Sequence, residues 1–115
     1  MCCAGARQAV ALLPRFTTLM GASTFTGEPL DVSGHTALTL QVWRSALPGV
    51  TTGFALYLDE SLDADDWTPL NGTAIDPGTA TTKVLEVCLR LRWLRLRVEL
   101  TGDTRVTCWA EGTLQ

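Results

Sequence analysis

The chain has little charge, a single histidine and no apolar run of membrane-spanning length. Charged residues make up 18% of its 115 positions, below the roughly 25% usual in soluble proteins. A low-charge, threonine-rich surface fits one that a partner partly covers. The net charge of −3 excludes a general electrostatic attraction to nucleic acid. No stretch approaches the ~18–20 consecutive apolar residues of a membrane-spanning helix, so no membrane partner is expected. Ala9 to Leu13 is too short for the core of a signal peptide, and no basic region precedes it. Residue 2 is Cys rather than Gly, so no myristoylation is expected, while Cys2 and Cys3 are candidates for S-palmitoylation. The expected compartment is cytosol-like.

The chemistry-bearing patterns are also thin. The cysteines are Cys2, Cys3, Cys88 and Cys108, with no C-x-x-C pair, and His35 is the lone histidine. A zinc site needs four clustered ligands at recurrent spacing, which these positions do not offer. Strand parity puts Cys88 outward with Glu86 and Cys108 inward with Val106 and Ala110, so free thiols are expected rather than a bridge. No G-x-S-x-G and no glycine-rich phosphate loop occur. The acidic stretch holds Asp59, Asp63, Asp65 and Asp66, but it lacks the central Gly and terminal Glu of an EF-type loop. Asp63 is expected to cap its own turn. Carboxylates crowded into one loop do not flank a cleft as a glycosidase pair must. No catalytic residue, cofactor or metal ligand is assigned, and the expectation is a protein that is not an enzyme.

What the chain does have is alternation. Trp93 to Leu100 places Leu94, Leu96, Val98 and Leu100 on one side, and Trp93, Arg95, Arg97 and Glu99 on the other. Strict period two over eight residues marks a half-buried strand. Thr36 to Arg44 repeats the pattern, with Leu38, Leu40 and Val42 inward and Trp43 outward. Phe54 to Leu58 follows with Phe54, Leu56 and Leu58 inward, running into the acidic stretch as a loop. Val84 to Leu89 and Thr104 to Ala110 complete the clear strands. In the last of these Val106 and Cys108 point inward, and Arg105, Thr107 and Trp109 outward. Turns are signalled at Pro48-Gly49, Asn71-Gly72, Asp76-Pro77-Gly78 and Thr101-Gly102-Asp103. Arg7 to Leu13 reads as one helical turn or an edge strand, the strand being preferred, with Pro14 ending it, and Arg15 to Thr26 as a second extended segment.

Seven to eight short strands without sustained helical period predict an all-β fold: a single antiparallel β-sandwich, jelly-roll or Ig-like. A chain of this size makes one domain. It divides into an N-terminal extended segment, 1–29, and a sandwich core, 30–115. The N-terminal segment is expected to be ordered by packing or by neighbouring chains.

The run Leu30-Asp31-Val32-Ser33-Gly34-His35-Thr36-Ala37-Leu38-Thr39-Leu40, then Ser61-Leu62-Asp63 and Trp67-Thr68, then Trp93 to Val98 and Thr101-Gly102 resembles a group of small β-sandwich structural proteins of tailed phages and prophage-like elements. Their pattern is an extended "l-d-v-s-g" lead-in, an "S-x-D-G-x-x-W-T" loop and a "W/Y-l-R-l-x-v" strand closed by a Thr-Gly turn. The resemblance covers roughly Leu30 to Thr104. Ala64 stands where that pattern has Gly. By analogy the resemblance implies a virion building block, such as a capsid decoration or a minor head or tail component.

On parity alone Trp43, Trp93 and Trp109 point outward with Arg95, Arg97 and Arg105. Trp and Arg are the enriched anchors of protein interfaces, so these six residues are the candidate interface. The competing readings are a bulge that slips the parity, a terminal segment such as Arg15 to Thr26 lying over the rings, or a carbohydrate stacking on them. The expected partners are other copies in a homo-oligomer and a larger shell or tail protein. The expected location is a virion or virus-like particle assembled in the bacterial cytoplasm. A carbohydrate-binding module is the alternative function.

Overall fold

A computed structural model describes residues 8–21, 23–46, 53–70, 74–101 and 105–115. It is an all-β sandwich of nine strands among those residues: β1 (Gln8–Met20), β2 (Thr24–Thr26), β3 (Leu30–Asp31), β4 (Ala37–Arg44), β5 (Gly53–Ser61), β6 (Thr68–Pro69), β7 (Thr81–Cys88), β8 (Trp93–Thr101) and β9 (Arg105–Leu114). One sheet runs β1-β9-β4-β7. The other runs β2-β8-β5-β6, with β3 also on β8. All pairings are antiparallel, and they nest: β1 with β9, β2 and β3 with β8, β4 with β7, β5 with β6. That is one long hairpin rolled up, the topology of a jelly roll rather than an Ig-like sandwich.

The alternation explains the core. Leu38, Leu40 and Val42 of β4 and Val106, Cys108, Ala110 and Leu114 of β9 face Phe54, Leu56 and Leu58 of β5 and Leu94, Leu96, Val98 and Leu100 of β8, all buried. Each fully buried Leu or Val contributes roughly 1.5–3 kcal/mol. Cys88 is exposed and Cys108 buried, and both are free; burial pushes the Cys108 thiol up to about 11.

Three strands are longer than their patterns promised. Pro14 does not end the first strand. It sits within β1, where register shifts between Ala11 and Leu13 and between Leu13 and Thr17 mark bulges, and an edge strand tolerates proline at a bulge. β9 runs on through Gly112 to Leu114. A Cβ at Gly112 would stand 2.3 Å from the Thr39 carbonyl oxygen, so only glycine lets β4 and β9 approach there. β5 continues through Asp59, Glu60 and Ser61, all buried, where a loop was expected. The N-terminal residues 1–7 and the turns at Pro48-Gly49, Asn71-Gly72 and Gly102-Asp103 lie outside the described residues.

Candidate functional site: two outer faces

The six candidate interface residues do not share a surface. Parity puts all of them outward, but on opposite sides of the sandwich. Trp93, Arg95 and Arg97 stand on β8, outside the β5–β8 sheet. Trp43 and Trp109, paired across β4 and β9, stand with Arg105 outside the other sheet.

The β5–β8 face is closed by its own charges. Asp59 is opposite Arg95, and Tyr57 opposite Arg97. Arg95 Nε donates to Asp59 Oδ2 at 3.1 Å; Arg97 Nε donates to the same oxygen at 3.1 Å, and its Nη2 to Oδ1 at 3.3 Å. Arg97 also pairs with Glu99. The bond to Asp59 is the main reason the Arg97 pKa lies above its ordinary value. The guanidinium carbons lie over ring faces, Arg95 over Trp67 at 4.5 Å and Arg97 over Tyr57 at 4.4 Å. Arg92 lies over Trp93 at 5.2 Å. Asp59 is only 3% exposed, so the two arginines serve an intramolecular charge before anything outside.

The β9–β4 face is built differently. Trp109, though outward by parity, is 7% exposed, because β1 lays Arg15 over its ring at 4.4 Å. The Arg15 guanidinium is held by Glu111 through Nη2 at 2.6 Å, and that bond is the chief cause of the lowered Glu111 pKa. The covering segment anticipated for Arg15 to Thr26 therefore exists at this ring. Trp43 beside it stays half-buried. A groove of about 610 Å³ opens on this face, lined in part by Ala9, Ala11, Gln41, Val84 and Thr113. Arg105 and Glu86 are exposed here without an ion pair among the described residues.

The acidic turn after β5 is self-contained. Asp63 Oδ1 accepts the Asp65 and Asp66 amides at 2.9 and 3.0 Å, and the Ser61 hydroxyl at 3.0 Å. The Asp66 amide, then that of Asp65, hold the Asp63 pKa below its ordinary value. Asp63 thus caps its own turn. Ala64, at the pattern's Gly position, has φ +63°. Among the described residues no three His, Cys, Asp or Glu side chains converge as a metal site. Glu60 points inward, pairs with Arg90 through Oε2, and leaves Oε1 without a donor among the described residues.

Sequence reasoning missed the parts that Asp59, Tyr57 and Trp67 play on the β8 face, and anticipated Arg15 only as the start of a covering segment. Continuing the period of Ala55 and Tyr57 one step would have put Asp59 outward on the strand. Arg15 gave no local signal, since its ring lies on a strand at the far end of the sequence.

No protein-family model matches the chain, and no curated protein matches it in sequence. Solved structures do share its fold. The PBSX exported protein XepA aligns at TM-score 0.69 and 14% identity, over 93% of this chain and 36% of that one. The infectious bursal disease virus VP2 subviral particle aligns at TM-score 0.57 and 10% identity, over 95% of this chain and 32% of that one. This chain spans about a third of the length of each, and at these identities the likeness is one of fold.

Proposed function

We propose that this chain is a non-enzymatic structural protein of a phage or phage-like particle, a capsid decoration or minor head or tail component, acting through protein–protein contacts within the virion. The carrying observation is the jelly roll shared over more than nine-tenths of the chain with a phage exported protein and a virus particle protein. The pattern from Leu30 to Thr104 points the same way. The outer faces add to it. Sugar stacking needs an open ring face, and a guanidinium already covers one face of Trp67, Trp93 and Trp109. Among the described residues Trp43 is the tryptophan with no guanidinium over it, so the carbohydrate reading rests on that one ring and a protein contact is favoured.

The test is to induce particle release from the source culture, band the particles by density and search the band for peptides of this chain by mass spectrometry. Co-banding at a fixed ratio to the major shell protein is the expected result. Recovery only from the particle-free fraction, with the shell proteins present, would overturn the reading. A glycan array then decides the alternative: binding that Trp43→Ala or Trp93→Ala removes would establish a carbohydrate module.

A further inference from the structure

We propose that the outer face of the β1-β9-β4-β7 sheet takes a second copy of this chain, face to face, about a two-fold axis over Trp43. The inference deepens the assembly reading and rests on it, since it names the surface and the partner.

Edge-to-edge growth is blocked first. β7, the open edge of this sheet, carries Lys83 in an inward slot opposite Val42, and inward charges on edge strands oppose pairing with another chain. At the other edge β1 is bulged and contains Pro14. In the second sheet the edge strands β2, β3 and β6 have only three, two and two residues. Copies therefore meet through faces.

The two faces are not equivalent. A partner on the β5–β8 face would have to displace guanidinium groups already bonded to Asp59 and Glu99. The β9–β4 face carries one such pair, Arg15 with Glu111 over Trp109, against three on the other face. Its middle is uncharged (Thr39 beside Thr113, Trp43 beside Trp109, and Gln41 beside Val84) apart from Glu111, which Arg15 neutralises. Val84 is 60% exposed there.

Charge complementarity selects the occupant. Glu86 stands opposite Thr39, four residues from Trp43 along the strand. Arg105 stands four residues from Trp109, the cross-strand partner of Trp43, in the other direction. The two charges, unpaired among the described residues, are of opposite sign, and each lies ~13 Å along the strand from the same central pair. A two-fold axis between stacked faces, passing over Trp43, sets Arg105 of each copy on Glu86 of the other, twice. Such an isologous contact is self-complementary by construction. Four strands of eight residues present roughly 19 by 26 Å, or about 500 Å² in projection. That is smaller than the ~800 Å² per partner of a standard interface, so the pair is weak in free solution and is reinforced where a shell concentrates the copies.

Sedimentation equilibrium from micromolar to millimolar protein tests this. The expected result is a weight-average mass that rises with concentration from one chain toward two. Glu86→Arg alone and Arg105→Glu alone each weaken association about tenfold or more, through like-charge contact. The double variant E86R/R105E restores it, and Val84→Lys abolishes it. All three positions are surface sites, and circular dichroism with thermal melts confirms folding. A monomer up to millimolar concentration, or a double variant no better than the singles, overturns the proposal. Particle incorporation is measured separately: a chain that pairs as described but never bands with particles overturns the function and leaves the pair.

Discussion

Removing Asp59 is the sharpest perturbation of the β5–β8 face. Three hydrogen bonds from Arg95 and Arg97 converge on this one carboxylate. Truncating one partner of a buried ion pair costs about 3–5 kcal/mol, mostly because the remaining charge is stranded. Here the stranded arginines are not fully enclosed, since their side chains keep 25% and 19% exposure and can turn toward water. The expected cost of Asp59→Ala is therefore about 2–3 kcal/mol. Arg97→Ala should cost less, about 1–2 kcal/mol, because Asp59 keeps Arg95.

The informative quantity is the double-mutant cycle. Once Asp59 is absent, Arg97 keeps only Glu99 and the Tyr57 ring, so the combined loss should fall short of the sum by about 1 kcal/mol. Urea unfolding of the parent, both single variants and the double variant gives the four free energies. A coupling below about 0.3 kcal/mol, the ordinary scatter of independent sites, would refute the argument that Arg97 serves an internal charge. It would return Arg95 and Arg97 to the pool of free interface residues. Self-association should be unchanged throughout the cycle, because Asp59 is on the face opposite Trp43.

Three further outcomes follow from local geometry. Gly112→Ala forces a Cβ against the Thr39 carbonyl and should cost about 3 kcal/mol by overpacking, a fall in Tm of roughly 12 °C for a domain of this size; a melt within about 2 °C of the parent would show that the strands simply part. Ala64→Gly removes a left-handed strain of about 1–2 kcal/mol against an entropic cost of roughly 0.5–1 kcal/mol, so calorimetry should show Tm unchanged to raised by a few degrees, and a clear fall would contradict the φ of +63°. Acid should destabilise the fold in a defined window. The Asp31 carboxyl is lowered from 3.8 to about 2, first by the Ser33 amide and less by Arg92. Asp76 is lowered too: burial opposes ionisation there, but the Arg44 bond, the Gly78 amide and the Arg44 and Lys83 charges outweigh it. Depressed pKa values mean that stability is fully present above about 4 and lost as pH falls toward about 2. Melts at pH 5, 3 and 2 measure it, and Arg92→Ala should trim the effect without removing it, because the Ser33 amide remains.

Period-two alternation was enough to assign inner and outer faces along β4, β7, β8, most of β9 and β5 as far as Leu58, because burial of one face fixes register. Leu94, Leu96, Val98 and Leu100 are all buried as their spacing demanded, and Cys88 and Cys108 fall on opposite faces. The pattern misleads where a charge occupies a strand slot. Glu60 holds an inward position in line with Phe54, Leu56 and Leu58, and Asp59 is buried on the outer side, so the strand looked finished at Leu58. What keeps Asp59 in the sheet is a pair of arginines 36 and 38 residues away, which no local window contains. The same limit governs the site. Parity says that Trp43, Trp93, Arg95, Arg97, Arg105 and Trp109 point outward; it does not say from which sheet. That depends on the nesting of β1 with β9 and of β2 and β3 with β8, a long-range choice encoded in packing rather than in spacing. Six residues that look like one surface in the sequence become two. One spends its arginines on Asp59 and on its own rings. The other keeps Arg105 and Glu86 without an ion pair among the described residues, and is the face with charge left to offer another molecule.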